Sequence, residues 1–294
     1  MNSAEVEPDA FAKILDNVVQ LSISSYYNPY KSFEWIDSLP DEQWWMSRDL
    51  MSVYGTQKME QLTEAQLMLL SKWESINFYS LNIHGIRELM MEVTKRIHSP
   101  GYETPSEFFH HFLGEENEHM WFFAQFCLKY SSKIYPDRMR MDPEVLEADV
   151  ESFLVFSRIL IFEEIVDYFN IRMGRDNTLH PLIRKINSVH HQDESRHVIF
   201  GRQMVEHLHS KLREKYSQER LLELEQYLKR YLLSIIQSLY NPAAYRDAGI
   251  ADPYDFRLEL MNDPARKPHH ERFVKRNVDF FIKSGIFKQE EPFL

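Results

Sequence analysis

Along most of the chain, apolar residues return every three to four positions in long stretches separated by short polar breaks. From Thr63 this pattern runs unbroken to about Ile97, with Thr63 placed as an N-cap and Ser99-Pro100-Gly101 as the stop. Thr104-Pro105-Ser106-Glu107 has the form of a capping box with proline at the first helical position, and predicts a helix to about Ser131. Asp142-Pro143-Glu144 opens a third helix on the same logic, ending near Gly174, and Pro181 a fourth, ending near Leu212. Four helices of roughly 30 residues joined by short links predict an all-α four-helix bundle over about 63–212.

The flanks predict further helices. Ala4 to Ser22 and Asp41 to Tyr54 read as two modest ones, with an aromatic segment around Tyr26, Tyr27, Tyr30 and Trp35 between them. Glu219 to Tyr240 reads as a fifth long helix, broken by Asn241-Pro242, and the tail as short helices with one near His270 to Lys283. No linker, low-complexity tract or solenoid repeat interrupts the 294 residues, so a single domain over 1–294 is expected.

Composition agrees with this pattern. Hydrophobic residues make up 44% and aromatics 14%, enough for a sizeable core, and only 8 glycines leave little material for hairpins. A net charge of −11 argues against a nucleic-acid surface. The single cysteine, Cys127, excludes an internal disulfide framework and, between Phe126 and Leu128, reads as a small buried hydrophobe. No apolar run reaches the roughly 18 residues of a membrane span. The first residues lack the basic-then-apolar pattern of a signal peptide. A soluble, cytoplasmic protein that avoids nucleic acid and membrane is expected.

The chemistry lies in two Glu-x-x-His pairs, Glu116/His119 on the second bundle helix and Glu194/His197 on the fourth. Residues three apart share a helix face, so each pair can grip one ion. Two such pairs on alternate helices, with one carboxylate from each remaining helix, are the ligand set of a carboxylate-bridged di-iron site. Glu116 shares its face with Phe109, Phe112, Met120 and Phe123, so it is the inward candidate, whereas Glu115 is expected to face water. On the third helix, Glu163 lies in the arc of Phe156, Ile159, Leu160 and Val166 and is preferred to Glu164. Glu163 and Glu194 are also about equally far from the turn near Asn177 to His180, as facing residues of an antiparallel pair must be. By the same count Glu116 faces Glu88 on the first helix, with His84, one turn earlier, as the alternative ligand. His190, one turn before Glu194, shares its face and reads either as a ligand or as a hydrogen-bonded structural residue. Asp193 and Arg196 suit orienting a ligand imidazole and satisfying a carboxylate.

These residues resemble the non-haem di-iron arylamine N-oxygenases of the p-aminobenzoate N-oxygenase type. The likeness runs over roughly Trp73 to Glu206 and rests on Glu116/His119, Glu163, Arg175-Asp176, Pro181 and the His190-to-His197 string. Matching Trp73 and Asn77 to similar family residues puts His84, not Glu88, where the family has its first glutamate. The resemblance implies a ferritin-like bundle and makes His190 an iron ligand. It implies two iron ions that meet O₂, form a peroxo-bridged diferric species and oxidise a small organic substrate, most simply an amine nitrogen. Manganese or a mixed Mn/Fe pair also suits these ligands. An external electron donor is needed, and a homodimer is left open. The motif alone also admits hydroxylation, desaturation or C–C cleavage of an aliphatic substrate, or a non-catalytic iron-storage bundle.

Overall fold

In a computed structural model, which describes residues 10–40, 42–137 and 146–288, the long periodic stretches are helices. The seven longest are α1 (Ala10–Ser25), α2 (Glu64–Thr94), α3 (Ser106–Ser131), α4 (Ala148–Arg175), α5 (Pro181–Lys215), α6 (Gln218–Leu239) and α7 (Lys267–Lys283). Helices α2 to α5 form the bundle, with α2 packed along α3 and α4 along α5. Helix α1 lies across α3 and α5, α6 against α4 and α2, and α7 against α4. The architecture is all-α and ferritin-like, as expected.

Helix ends follow local chemistry. Thr63 and Gln66 form a reciprocal capping box at the start of α2. The box expected from Thr104 does not form: α3 begins at Ser106 behind Pro105, which makes no side-chain cap bond. The Ser106 hydroxyl instead donates to the Tyr102 carbonyl (2.6 Å) and accepts from the His98 amide (2.8 Å), pinning the α2–α3 turn. The Asp142-Pro143-Glu144 start lies outside the described residues, but Leu146 and Glu147 are not helical, so α4 begins at Ala148, later than expected. The N-terminal helix is seen from Ala10, its earlier part also falling outside the described residues.

The helix expected over 41–54 is absent among the described residues there, apart from a short 3₁₀ turn at Arg48–Leu50. Trp44, Trp45, Met46, Leu50, Met51 and Val53 are all buried. Consecutive buried side chains must point in several directions, which a one-faced surface helix cannot satisfy. The segment instead threads as an irregular strap, touching Leu179 through an isolated bridge at Trp44.

One contiguous core joins residues from Leu15 to Phe287. Gly85 of α2 is a close-approach point, since a Cβ there would stand 2.5 Å from the Phe162 ring of α4. Away from the bundle centre, Glu74 is buried and accepts from both the amide (3.1 Å) and the hydroxyl of Ser52, tying the strap to α2. Burial pushes its pKa up to about 7, against the lowering effect of Ser52 and Arg266. A carboxyl raised in the folded state binds its proton more tightly there than in the unfolded chain. Stability therefore falls as pH rises from the ordinary carboxyl range towards 7. Glu74→Gln is expected to gain stability relative to the parent across that window, on the order of 3 kcal/mol at most. Denaturant unfolding of both proteins from pH 4 to 8 checks this, and a pH-independent difference would contradict it.

Candidate metal centre

The apolar faces of α3, α4 and α5 meet halfway along the bundle, and there they carry six buried polar side chains. Helix α3 brings Glu116 and His119, α4 brings Glu163, and α5 brings His190, Glu194 and His197, none more than 2% exposed. One donor atom from each of Glu116, His119, Glu194 and His197 lies within 4.8 Å of the others. His197 Nδ1 is 2.8 Å from Glu116 Oε1 and 3.3 Å from Glu194 Oε2. His119 Nδ1 is 3.5 Å from Glu116 Oε2 and 3.5 Å from Glu194 Oε1. His190 Nε2 is 2.7 Å from Glu194 Oε1. Glu116 and Glu194 thus each turn one oxygen to the His119 side and the other to the His197 side, which is how a bridging carboxylate is placed.

Several of these atoms have no hydrogen-bond partner. Both oxygens of Glu116, one each of Glu163 and Glu194, His119 Nδ1 and His190 Nε2 are buried and make no aligned hydrogen bond, even where imidazole nitrogen and carboxylate oxygen stand 2.7 Å (His190–Glu194) or 2.8 Å (His197–Glu116) apart. Leaving such groups bare in a low-dielectric core costs kilocalories each, and a bound cation removes that cost. The donor set, carboxylate oxygens with imidazole nitrogens, suits iron or manganese. The residues therefore fit a metal centre.

Each imidazole is held from behind. His119 Nε2 donates to Asp193 Oδ2 (2.9 Å) and His197 Nε2 to Glu115 Oε2 (2.8 Å). His190 Nδ1 lies 2.6 Å from the Asn170 side-chain amide, whose Oδ1 is otherwise unpartnered. Turning that amide over lets the carbonyl accept from His190 Nδ1–H and leaves Nε2 bare toward Glu194. Arg196 braces the two acids, donating to Asp193 Oδ1 (2.5 Å) and Glu115 Oε1 (2.8 Å), and is itself tied to Ser22 of α1 (3.1 Å). Such partners fix the tautomer and raise the basicity of a ligand imidazole.

Without a cation the cluster can only be neutralised by protons. Burial by itself would push His119 down, but the Glu116 and Asp193 carboxylates outweigh it and hold the imidazole up to about 10. Burial of His197 is outweighed in the same way by Glu194, Glu115 and Glu116. Burial raises Glu163 far above the usual carboxyl range, with the charges of Glu194 and Glu116 adding to it. For Glu194 burial is overcome by His190 and His197, and its carboxyl falls well below that range. Metal ligation needs neutral imidazoles and ionised carboxyls, so cation uptake displaces protons from this site.

The first bundle helix behaves differently from expectation. Glu88 is exposed, beside Asp137, Arg87 and Arg158, and does not reach the cluster. Its height along the bundle suits the cluster, but it stands two residues past the buried Ile86, about 200° around the helix. His84 does not reach it either: it is half-buried and its Nε2 donates to the Tyr135 carbonyl (2.7 Å). Asp193 lies against the His119 imidazole and Arg196 against Asp193, but Glu115 does not face water; it is tucked between Arg196 and His197. Asn170 was not singled out. The equal-distance count about the α4–α5 turn that pairs Glu163 with Glu194 would set Asn170 against Asn187, about one turn from His190, so the contact is visible only in the tertiary structure.

The model of a family described as P-aminobenzoate N-oxygenase AurF matches residues 8–285. The chain belongs to this family. It is an oxygenase of the oxidoreductase class, and its buried Glu and His cluster fits the di-metal centre on which that chemistry depends. Among solved structures, an R2-like ligand-binding oxidase with an anaerobically reconstituted Mn/Fe cofactor is similar in fold. It shares 12% identity over 97% of this chain and 96% of that chain, with a TM-score of 0.53. Another form of R2-like ligand-binding oxidase, with the cofactor reconstituted aerobically, shares 12% identity over 96% and 95%, with a TM-score of 0.54. A search of curated proteins finds no match. Among the described residues no helix is long and apolar enough to cross a membrane.

For this AurF-family chain, Glu115→Ala removes the acceptor behind His197, and metal affinity is expected to weaken about 10–100-fold with the helical content unchanged. Metal retention against a chelator, compared with the parent, measures it; equal retention would remove Glu115 from the centre's support.

Proposed function

We propose that the protein oxygenates the nitrogen of a small amine, most simply an arylamine. Two iron ions would be held by Glu116, His119, Glu163, His190, Glu194 and His197. The observation that carries this reading is the set of buried carboxylate and imidazole atoms without partners in a chain of the AurF family. Such a metal pair supplies the means to reduce and activate dioxygen. Manganese or a Mn/Fe pair would suit the same donors, and an R2-like ligand-binding oxidase of this fold is described with Mn/Fe.

The chain's own residues supply dryness and position. Phe112 packs its ring 4.5 Å from His197, Phe123 lies 4.9 Å from His190, and Phe122 lies 5.5 Å from His119. These rings exclude water, so an oxidising equivalent formed here meets substrate rather than solvent. Glu116 and Glu194 would hold the two metal positions together, and Asp193, Glu115 and Asn170 keep three imidazoles aimed. Converting an amine to a hydroxylamine consumes one O₂, two electrons and two protons and releases water, so a separate electron donor is part of the proposal. A cytoplasmic setting, where such donors are at hand, suits the lone buried Cys127.

Glu116→Ala and His197→Ala are each expected to abolish stoichiometric iron binding, and retention of two irons per chain in either variant would refute the assignment. The substrate class is tested by turnover of arylamines against fatty acids with ¹⁸O₂ and O₂ uptake followed together. Label on a product nitrogen supports this reading, whereas label appearing solely on aliphatic carbon would replace it with a hydroxylase.

A further inference from the structure

A symmetric centre in a four-helix bundle takes Glu-x-x-His from two helices and one further glutamate from each of the other two. In this chain α4 makes that contribution with Glu163 and α2 does not. All four glutamates of α2 are accounted for elsewhere. Glu64 opens the helix, Glu74 binds Ser52, Glu88 is exposed, and Glu92 pairs with Lys95 (2.6 Å) and Arg96 (2.9 Å).

The face that α2 turns inward can be followed from Tyr79. Its ring stacks on Phe123 (5.0 Å), whose own ring meets His190, and its hydroxyl accepts from Asn187, one turn before His190 (2.8 Å). One and two turns further along, the same face of α2 carries Ile83 and Ile86, both buried. The buried polar side chains of this stretch, Ser80 and Asn82, are neutral. Where a carboxylate would complete a symmetric site, this helix presents hydrocarbon.

The consequence falls on one metal position. Glu194 Oε1 faces both His190 (2.7 Å) and His119 (3.5 Å), whose rings are 4.4 Å apart. Glu194 Oε2 and Glu116 Oε1 face His197, and Glu163 interacts with Glu194, Glu116 and His197. One position would therefore take His197 and the two shared carboxylates, with buried Glu163 assigned to it through its electrostatic coupling to His197. The other has two imidazoles and only the shared carboxylates. Charge tells the same story: Glu116, Glu163 and Glu194 bring three negative charges against the four positive charges of two divalent cations. The fourth comes from behind the imidazoles, where Asp193 and Glu115 outnumber Arg196 by one.

We infer that the two positions are unequal: the His119/His190 position fills second, holds its metal more weakly, and keeps the open coordination edge, facing Ile83 and Ile86, at which an external ligand binds. This rests on the di-metal reading above. His190 takes the place of the missing carboxylate as a donor without replacing its charge.

Stepwise anaerobic addition of Co²⁺ to the metal-free full-length protein, followed by its visible absorption, tests the inference. Two steps of one metal per chain are expected, the second weaker by about tenfold or more, since ligand charge count sets affinity. His190→Ala should erase the second step and leave the first, whereas Glu163→Ala should weaken the first. On the oxidised iron protein, one azide per chain should bind with a new charge-transfer band. Ile86→Glu, checked for helical content, should tighten the second metal step and suppress the azide band. Ile83→Glu provides the same test should the first variant fail to fold. Two equal steps, loss of both metals from His190→Ala, or undiminished azide binding with a carboxylate added on α2 would overturn the inequality. No Co²⁺ binding by the parent protein would overturn the di-metal reading itself.

Discussion

Three carboxylates and three imidazoles packed together in a buried core repel or go unsatisfied unless something positive stands among them. That constraint organises the middle of this protein. Glu116, Glu163 and Glu194 are each about fully buried, and the Glu163 carboxyl is driven far up while Glu194 is driven down. Such a spread among neighbouring like groups shows a site short of positive charge. Protons on His119, His197 and Glu163 meet the shortage when no cation is present, and a pair of divalent cations meets it with bonds that also satisfy the bare donor atoms.

Around that centre the rest of the fold serves position and dryness. The phenylalanines of α3 pack against the imidazoles, and the acids behind those imidazoles are held by one arginine, Arg196. The N-terminal helix and the residues after it take part, since Ser22 of α1 accepts from Arg196 and Tyr27, just beyond α1, donates to Asp193 at 3.3 Å. Segments outside the bundle therefore reach into the support of the buried Glu and His cluster. A cage subunit would have little use for that arrangement, whereas an enzyme that must hold its ligands to within fractions of an ångström has a clear one.

The buried Glu and His cluster on α3, α4 and α5 was legible because period and count coincide. Glu-x-x-His puts two donors on one face whatever the surroundings, and equal distance from a turn sets the height of facing residues in an antiparallel pair. The same count chose the right height on α2 and the wrong residue, Glu88, because height says nothing about the direction of a side chain. Direction had to come from the buried stripe, and on α2 that stripe is Tyr79, Ile83 and Ile86. Glu115 was misjudged for a related reason. A carboxylate beside the buried face looks solvated until the helix that covers it, with Arg196 and His197, is in place.

By itself the sequence determined the all-α bundle, the five long helices from Thr63 onward to within a few residues, the two Glu-x-x-His grips and the choice of Glu163 over Glu164. These follow from local periodicity and local capping, which depend on neighbours within a turn or two. Tertiary structure alone decided that residues 42–54 form a strap rather than a helix, that Asn170 and Glu115 back the imidazoles, and that α2 contributes hydrocarbon in place of a fourth carboxylate. Those outcomes depend on which side chains from distant helices arrive at the same point. No periodicity within one helix encodes that, because it is set by how the rods rotate against each other when their apolar stripes are buried.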